Sequence, residues 1–87
     1  MLETQVQTWV KQQLERRGWW VVKLIQCSVN GLPDLMALKE GRTLFIEVKR
    51  PGAKPAPLQT LRHQQLTKAG FVCLVIDDKC LKQLENI

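Results

Sequence analysis

The residues of this chain best suited to chemistry are two carboxylates and a lysine. Asp34 opens an apolar run, 35–38, and Glu47 and Lys49 close a second apolar run. Residues 39–42, between the two runs, are typical of a hairpin turn. Antiparallel strands joined by a short turn bring the start of the first strand beside the end of the second. We therefore expect Asp34 and Glu47 to be neighbours.

This placement would give a site for a divalent metal beside a polarised water. Residues two apart on a strand share a face, so Glu47 and Lys49 point one way and Val48 the other. Carboxylate oxygens suit Mg²⁺, with Mn²⁺ as a substitute. The alternative is that these are ordinary solvated charges at strand ends. Against it, Glu47 lies between Ile46 and Val48 in an apolar strand, where an unpaired charge is costly.

Composition is that of a single small domain, 1–87, with a thin core that favours oligomerisation. The net charge of +5 favours a polyanionic partner such as nucleic acid, although modestly basic small domains are common. The three cysteines lack the paired spacing of a zinc site, and no apolar stretch approaches ~18 residues. These features predict a protein of the reducing cytoplasm that does not bind membranes.

The apolar pattern predicts an α/β fold with element order α-β-β-β-α-β plus a short C-terminal helix. The predicted elements are a helix (2–17), a strand (19–25), a hairpin (34–49), a helix (58–69) and a strand (71–76). A last short helix would be capped by Asp77 or Asp78 and would carry Leu81 and Leu84. This order predicts a mixed four-stranded sheet flanked by helices. The last strand follows a helical crossover and should pair parallel with an earlier strand, and its apolar character predicts a central position.

Glu3 is a candidate third carboxylate. At about 100° per residue it projects within the apolar arc of the first helix, between Val10 and Leu14, so it could face the sheet and reach Asp34 and Glu47. Equally, it could lie at a fraying terminus and merely favour the helix dipole.

The motif Gly31-Leu32-Pro33-Asp34, followed by Glu47-Val48-Lys49, resembles the PD-(D/E)xK nuclease signature, with its finer match in the VRR-NUC branch. The resemblance covers nearly the whole chain, from Glu3 to the Lys68-Ala69-Gly70 segment. It implies a restriction-endonuclease-like core and a metal-dependent nuclease.

The resemblance also implies roles for the matching residues. Asp34 would be the bridging metal ligand, with Glu47 and the backbone carbonyl of Val48 as further ligands. Glu3 would hold the metal from the first helix, commonly through water. Lys49 would orient or deprotonate the attacking water and stabilise the pentacovalent phosphate. Because neighbouring carboxylates hold a lysine protonated, an electrostatic role is the simpler one.

Further residues are expected to meet the substrate. By the same resemblance, Gln59 would stand at the start of the second helix, beside the lysine and the scissile phosphate. Arg50 and Lys54 flank the proline-rich segment after the lysine, where they could grip phosphates, and Arg62 is a further candidate on the second helix. His63 is not expected to bind metal without a second histidine.

We expect a structure-directed endonuclease that cuts branched DNA such as four-way junctions, in the cytoplasm of a bacterium or a phage-infected host. A homodimer would present two sites to such a substrate. Trp19 and Trp20 point to opposite faces of a strand, so at most one lies in the core. The other either packs under the last helix, which is the commoner case, or forms part of an interface. The alternatives are a non-catalytic nucleic-acid-binding module on the same fold and an interaction or inhibitor protein whose strand-end charges are incidental.

Overall fold

The computed structural model describes residues 2–77 and residue 84. Its elements are α1 (Glu3–Arg16), β1 (Trp20–Lys23), β2 (Leu35–Lys39), β3 (Arg42–Val48), α2 (Pro57–Lys68) and β4 (Val72–Ile76). The predicted order α-β-β-β-α-β is therefore confirmed. The last predicted helix lies outside the described residues, apart from Leu84, which is buried in the core.

The four strands form one mixed sheet in the order β1-β2-β3-β4. The pairs β1–β2 and β2–β3 are antiparallel, and β3–β4 is parallel, as predicted for the last strand. The predicted central position of that strand is wrong, because β4 is an edge strand within the described part of the chain. Leu74 packs against the core, while Val72 is 52 % exposed. An apolar run indicates that the faces of a strand are covered, and does not indicate how many strands flank it.

The hairpin of β2 and β3 has the predicted turn. Glu40 and Gly41 both have positive φ, 49° and 78°, as a two-residue type I′ turn requires. The register pairs Leu35 with Ile46, so the residue before β2 lies opposite Glu47 near the end of β3. The turn thus sets which side chains meet at the far end of the hairpin.

The hydrophobic core lies between α1 and one face of the sheet. Gly18, with a φ of 87°, ends the helix where predicted, and the chain then turns into β1. Of the two consecutive tryptophans, Trp19 is buried and Trp20 is 69 % exposed, as predicted for a pair on opposite faces. The buried apolar side chains are Val6, Val10, Leu14, Trp19, Val21, Leu35, Ala37, Leu44, Ile46, Val48, Ile76 and Leu84.

Neither α1 nor α2 is long and apolar enough to cross a membrane, and the described residues contain no other helix. Cys27 is exposed and Cys73 is half-buried, and both are free thiols. Burial raises the pKa of the Cys73 thiol, so the thiolate is scarce at neutral pH.

Candidate metal centre

Asp34 is held against the ends of β1 and β3. Its carboxylate oxygen Oδ2 accepts a hydrogen bond of 2.8 Å from the backbone amide of Val48. Its backbone carbonyl accepts another of 2.8 Å from the amide of Leu24. These two bonds fix the side chain beside Glu47, as the predicted hairpin requires.

Glu3 joins this pair from the first turn of α1. One carboxylate oxygen from each of Glu3, Asp34 and Glu47 lies within 4.8 Å of the other two. The helix packs on the core face of the sheet, whereas Glu47 alternates with the core residues of β3 and projects to the opposite face. The three groups therefore meet around the end of the strands. Of the two hypotheses for Glu3, the structure agrees with the one that brings it to the other carboxylates.

Glu47 is fully buried, and neither of its oxygens has a hydrogen-bond partner among the described residues. Burial is the largest cause that raises the pKa of Glu47 to about 8; the nearby Asp34 carboxylate raises it further, and Lys49 partly opposes this shift. An ionised Glu47 would therefore be buried without enough neighbouring positive charge to neutralise it, and a bound cation would supply that charge.

Two nitrogen groups flank the Glu47 carboxylate. Lys49 Nζ lies 3.8 Å from Oε2, and His63 Nε2 lies 3.6 Å from Oε1. Their side chains are only 15 % and 14 % exposed. Lys49 thus stands beside the carboxylates, where the sequence places it.

His63 is the residue that the sequence analysis missed. The sequence gives it no role at the site, yet α2 packs beside β4 and buries its imidazole against Glu47. Burial lowers the pKa of His63, so the ring is neutral at pH 7 and acts as a hydrogen-bonding group. Its position four residues after Gln59 was the available signal, because residues i and i+4 share a helix face.

Gln59 is the third residue of α2, at the start of the second helix as expected. Its Oε1 accepts a hydrogen bond of 2.8 Å from the amide of Ala56, which stabilises the helix N-terminus. This bond leaves the amide nitrogen of the side chain for other partners. The backbone N–H of Val48 donates to Asp34. Metal binding by the backbone carbonyl of Val48 stays a prediction.

Arg62 holds the loop that precedes Asp34 against α2. Its Nε donates a hydrogen bond of 2.7 Å to the carbonyl of Asn30, and its Nη1 donates one of 3.0 Å to Gln65 Oε1. Arg50 and Lys54 are exposed on the segment between β3 and α2. Phosphate contacts by all three residues stay predictions.

Gly31 is expected to be essential for the contact between this loop and α2. Its φ is 84°, and an added Cβ would lie 2.7 Å from Cγ of Leu58. Gly31→Ala should therefore lower the free energy of unfolding by about 2 kcal/mol, measured by urea denaturation. Gly52→Ala is the matched control, because φ is 81° and no described atom lies within 4 Å, and it should cost about 1 kcal/mol. Equal losses would contradict the close packing at Gly31.

Comparison with known proteins finds relatives over nearly the whole chain. No protein-family model matches it. The protein named "Putative nuclease p44", from Acyrthosiphon pisum secondary endosymbiont phage 1, is 30 % identical over 83 residues, covering 94 % of this chain and 89 % of its own. A solved "VRR_NUC domain" has a TM-score of 0.83 and 34 % identity, covering 97 % of this chain and 90 % of that one. A "VRR_NUC domain protein" shares the fold, with a TM-score of 0.74 and 23 % identity, covering 91 % and 79 % of the two chains.

Proposed function

The chain belongs to the VRR-NUC family, and from this premise we propose that it is a single-domain nuclease, 1–87, that hydrolyses DNA phosphodiesters with Mg²⁺, or with Mn²⁺ as a substitute. The main support for metal dependence is the burial of the Glu47 carboxylate without a hydrogen-bond partner among the described residues. A buried carboxylate without a hydrogen-bond partner, beside two further carboxylates, is a costly arrangement unless a cation joins it.

The chemistry of these groups fits a hard divalent ion, because all three offer anionic oxygen. Glu3, Asp34 and Glu47 would hold the ion, together with the carbonyl of Val48. When bound, it would neutralise charge that develops on the phosphate and make hydroxide available near neutral pH.

The remaining site residues would act on water and phosphate. The ammonium of Lys49, 3.8 Å from Glu47, would orient the attacking water and stabilise the negative charge of the pentacovalent phosphate. The free amide nitrogen of Gln59, at the start of α2, could donate to the scissile phosphate.

DNA would be held through its backbone. Arg50 and Lys54 are exposed on the segment that directly follows Lys49, and the chain has a net charge of +5. Such contacts fix register and orientation without reading bases, so specificity would come from nucleic-acid shape. We therefore propose structure-directed endonucleolytic cutting of branched DNA, in the cytoplasm of a bacterium or a phage-infected host.

The protein would act as a homodimer through the sheet face opposite the core. Trp20 is 69 % exposed on that face, next to half-buried Val22 and Leu38. We expect sedimentation analysis to give a dimer, and Trp20→Ser to shift it to monomer because the largest apolar contact is lost. Ile25→Ser is the control, since Ile25 is 80 % exposed but lies on a loop. A monomeric wild-type protein would contradict the homodimer.

A gel assay on four-way junctions, flaps and duplexes tests the proposed function. Cleavage of the junction is expected with Mg²⁺ or Mn²⁺, and none with EDTA. Cleavage that persists in EDTA would contradict the metal dependence. DNA binding without cleavage under every metal condition would support the non-catalytic binding module instead.

A further inference from the structure

His63 stands at the site without a role in the mechanism above. Its Nε2 is buried and has no hydrogen-bond partner within the described residues, and it lies 3.6 Å from Oε1 of Glu47. His63 is not part of the group whose ligand atoms all lie within 4.8 Å of one another. The imidazole therefore contacts Glu47 without belonging to the group of three carboxylates.

We propose that His63 is a positioning residue for the metal centre, which donates from Nε2–H to Oε1 of Glu47. This inference rests on the proposed metal-dependent function. In this role the imidazole carries its proton on Nε2. The present separation is just beyond hydrogen-bond range, so a small side-chain rotation suffices to form the bond.

The geometry explains why Glu47 needs such a donor. One oxygen of the carboxylate is near Lys49 and the other is near His63, so each oxygen has its own nitrogen group. Lys49 directly follows β3 and reaches Glu47 with a long side chain, whereas His63 lies in the middle of α2, which packs on β4. A donor on a packed helix restricts rotation of the carboxylate and keeps its plane fixed toward Glu3 and Asp34.

The expected effect is large because the bond is charge-assisted and excluded from water. A hydrogen bond to an ionised carboxylate is about twice as strong as a neutral one. Partners that orient metal ligands in this way typically change metal affinity by about 10–100-fold when they are removed.

The test compares His63→Leu with His63→Gln. Both side chains fill a similar volume, but only glutamine keeps an N–H donor. We expect His63→Leu to weaken Mn²⁺ binding in calorimetry, and to raise the Mn²⁺ concentration for half-maximal cleavage, by about 10–100-fold. The kcat at saturating Mn²⁺ should change little, and His63→Gln should retain most of the affinity. Gln64→Ala, at the exposed neighbouring position on α2, is the control and should behave as wild type.

Three results would overturn the proposal, and they are distinguishable. Equal Mn²⁺ affinity of wild type and His63→Leu would remove the role of His63 and leave the metal centre intact. Equal weakening by leucine and glutamine would assign His63 to packing alone. Absence of Mn²⁺ uptake by the wild-type protein would overturn the metal centre itself.

Discussion

Asp34→Asn is expected to lower the rate of DNA cleavage by at least about 10³-fold while the protein stays folded. Asparagine keeps an oxygen that can accept the hydrogen bond from the Val48 amide, so the local structure is preserved. It removes one of the three charges that would hold the ion. DNA affinity should be kept or increased, because a carboxylate that repels phosphate is lost. Cleavage is measured on a four-way junction in Mg²⁺, and binding in EDTA.

Glu40→Gln is the matched control for this prediction. It also removes one negative charge, but from the turn at the other end of the hairpin. Cleavage should therefore stay at the wild-type rate. If Asp34→Asn cleaved as fast as the control, the carboxylates would be incidental charges, as in an interaction or inhibitor protein.

Glu47→Gln is expected to abolish cleavage and yet stabilise the metal-free protein above neutral pH. The pKa of Glu47 is about 8 in the folded protein, against an ordinary value of 4.5. Between pH 4.5 and pH 8, Glu47 is protonated in the folded state but ionised in the unfolded state. The stability linked to this group is therefore full below pH 4.5 and falls as pH rises toward 8, with a slope approaching about 1.4 kcal/mol per pH unit.

Urea denaturation in EDTA across this pH window measures the effect. A glutamine at this position stays neutral across the pH range, so the variant should lack the pH-dependent loss of stability. Glu15→Gln is the control, because Glu15 is exposed on α1 and should leave the slope unchanged. Identical pH profiles for wild type and Glu47→Gln would contradict the burial of an unpaired carboxylate. Added Mg²⁺ should restore the stability of the wild-type protein at pH 8, since a ligand that binds only the folded state stabilises it.

The fold was predictable because its elements carry strong local signals. Gly18 and Gly70 stop the two helices, and both have positive φ. The Glu40–Gly41 turn sets the hairpin register, and the register in turn brings Asp34 to Glu47. The predicted central position of β4 is wrong. The apolar composition of a strand indicates that its faces are covered by other elements, but it does not indicate how many strands lie beside it.

The part of the site that the sequence did not indicate depends on packing between distant elements. His63 acquires its environment only when α2 docks beside β4 and covers Glu47. Arg62 donates a hydrogen bond to the carbonyl of Asn30, 32 residues earlier in the chain. Neither relation follows a local periodicity, so a one-dimensional pattern carries no direct signal for it.

Uptake of Mn²⁺ by the metal-free protein, followed by electron paramagnetic resonance of the free ion, tests the central claim most directly. The three-carboxylate centre predicts saturable uptake by wild type, loss of that uptake in Asp34→Asn, and unchanged uptake in Glu40→Gln. A wild-type protein that leaves the Mn²⁺ signal undiminished, or an Asp34→Asn variant that binds as tightly as wild type, would contradict it.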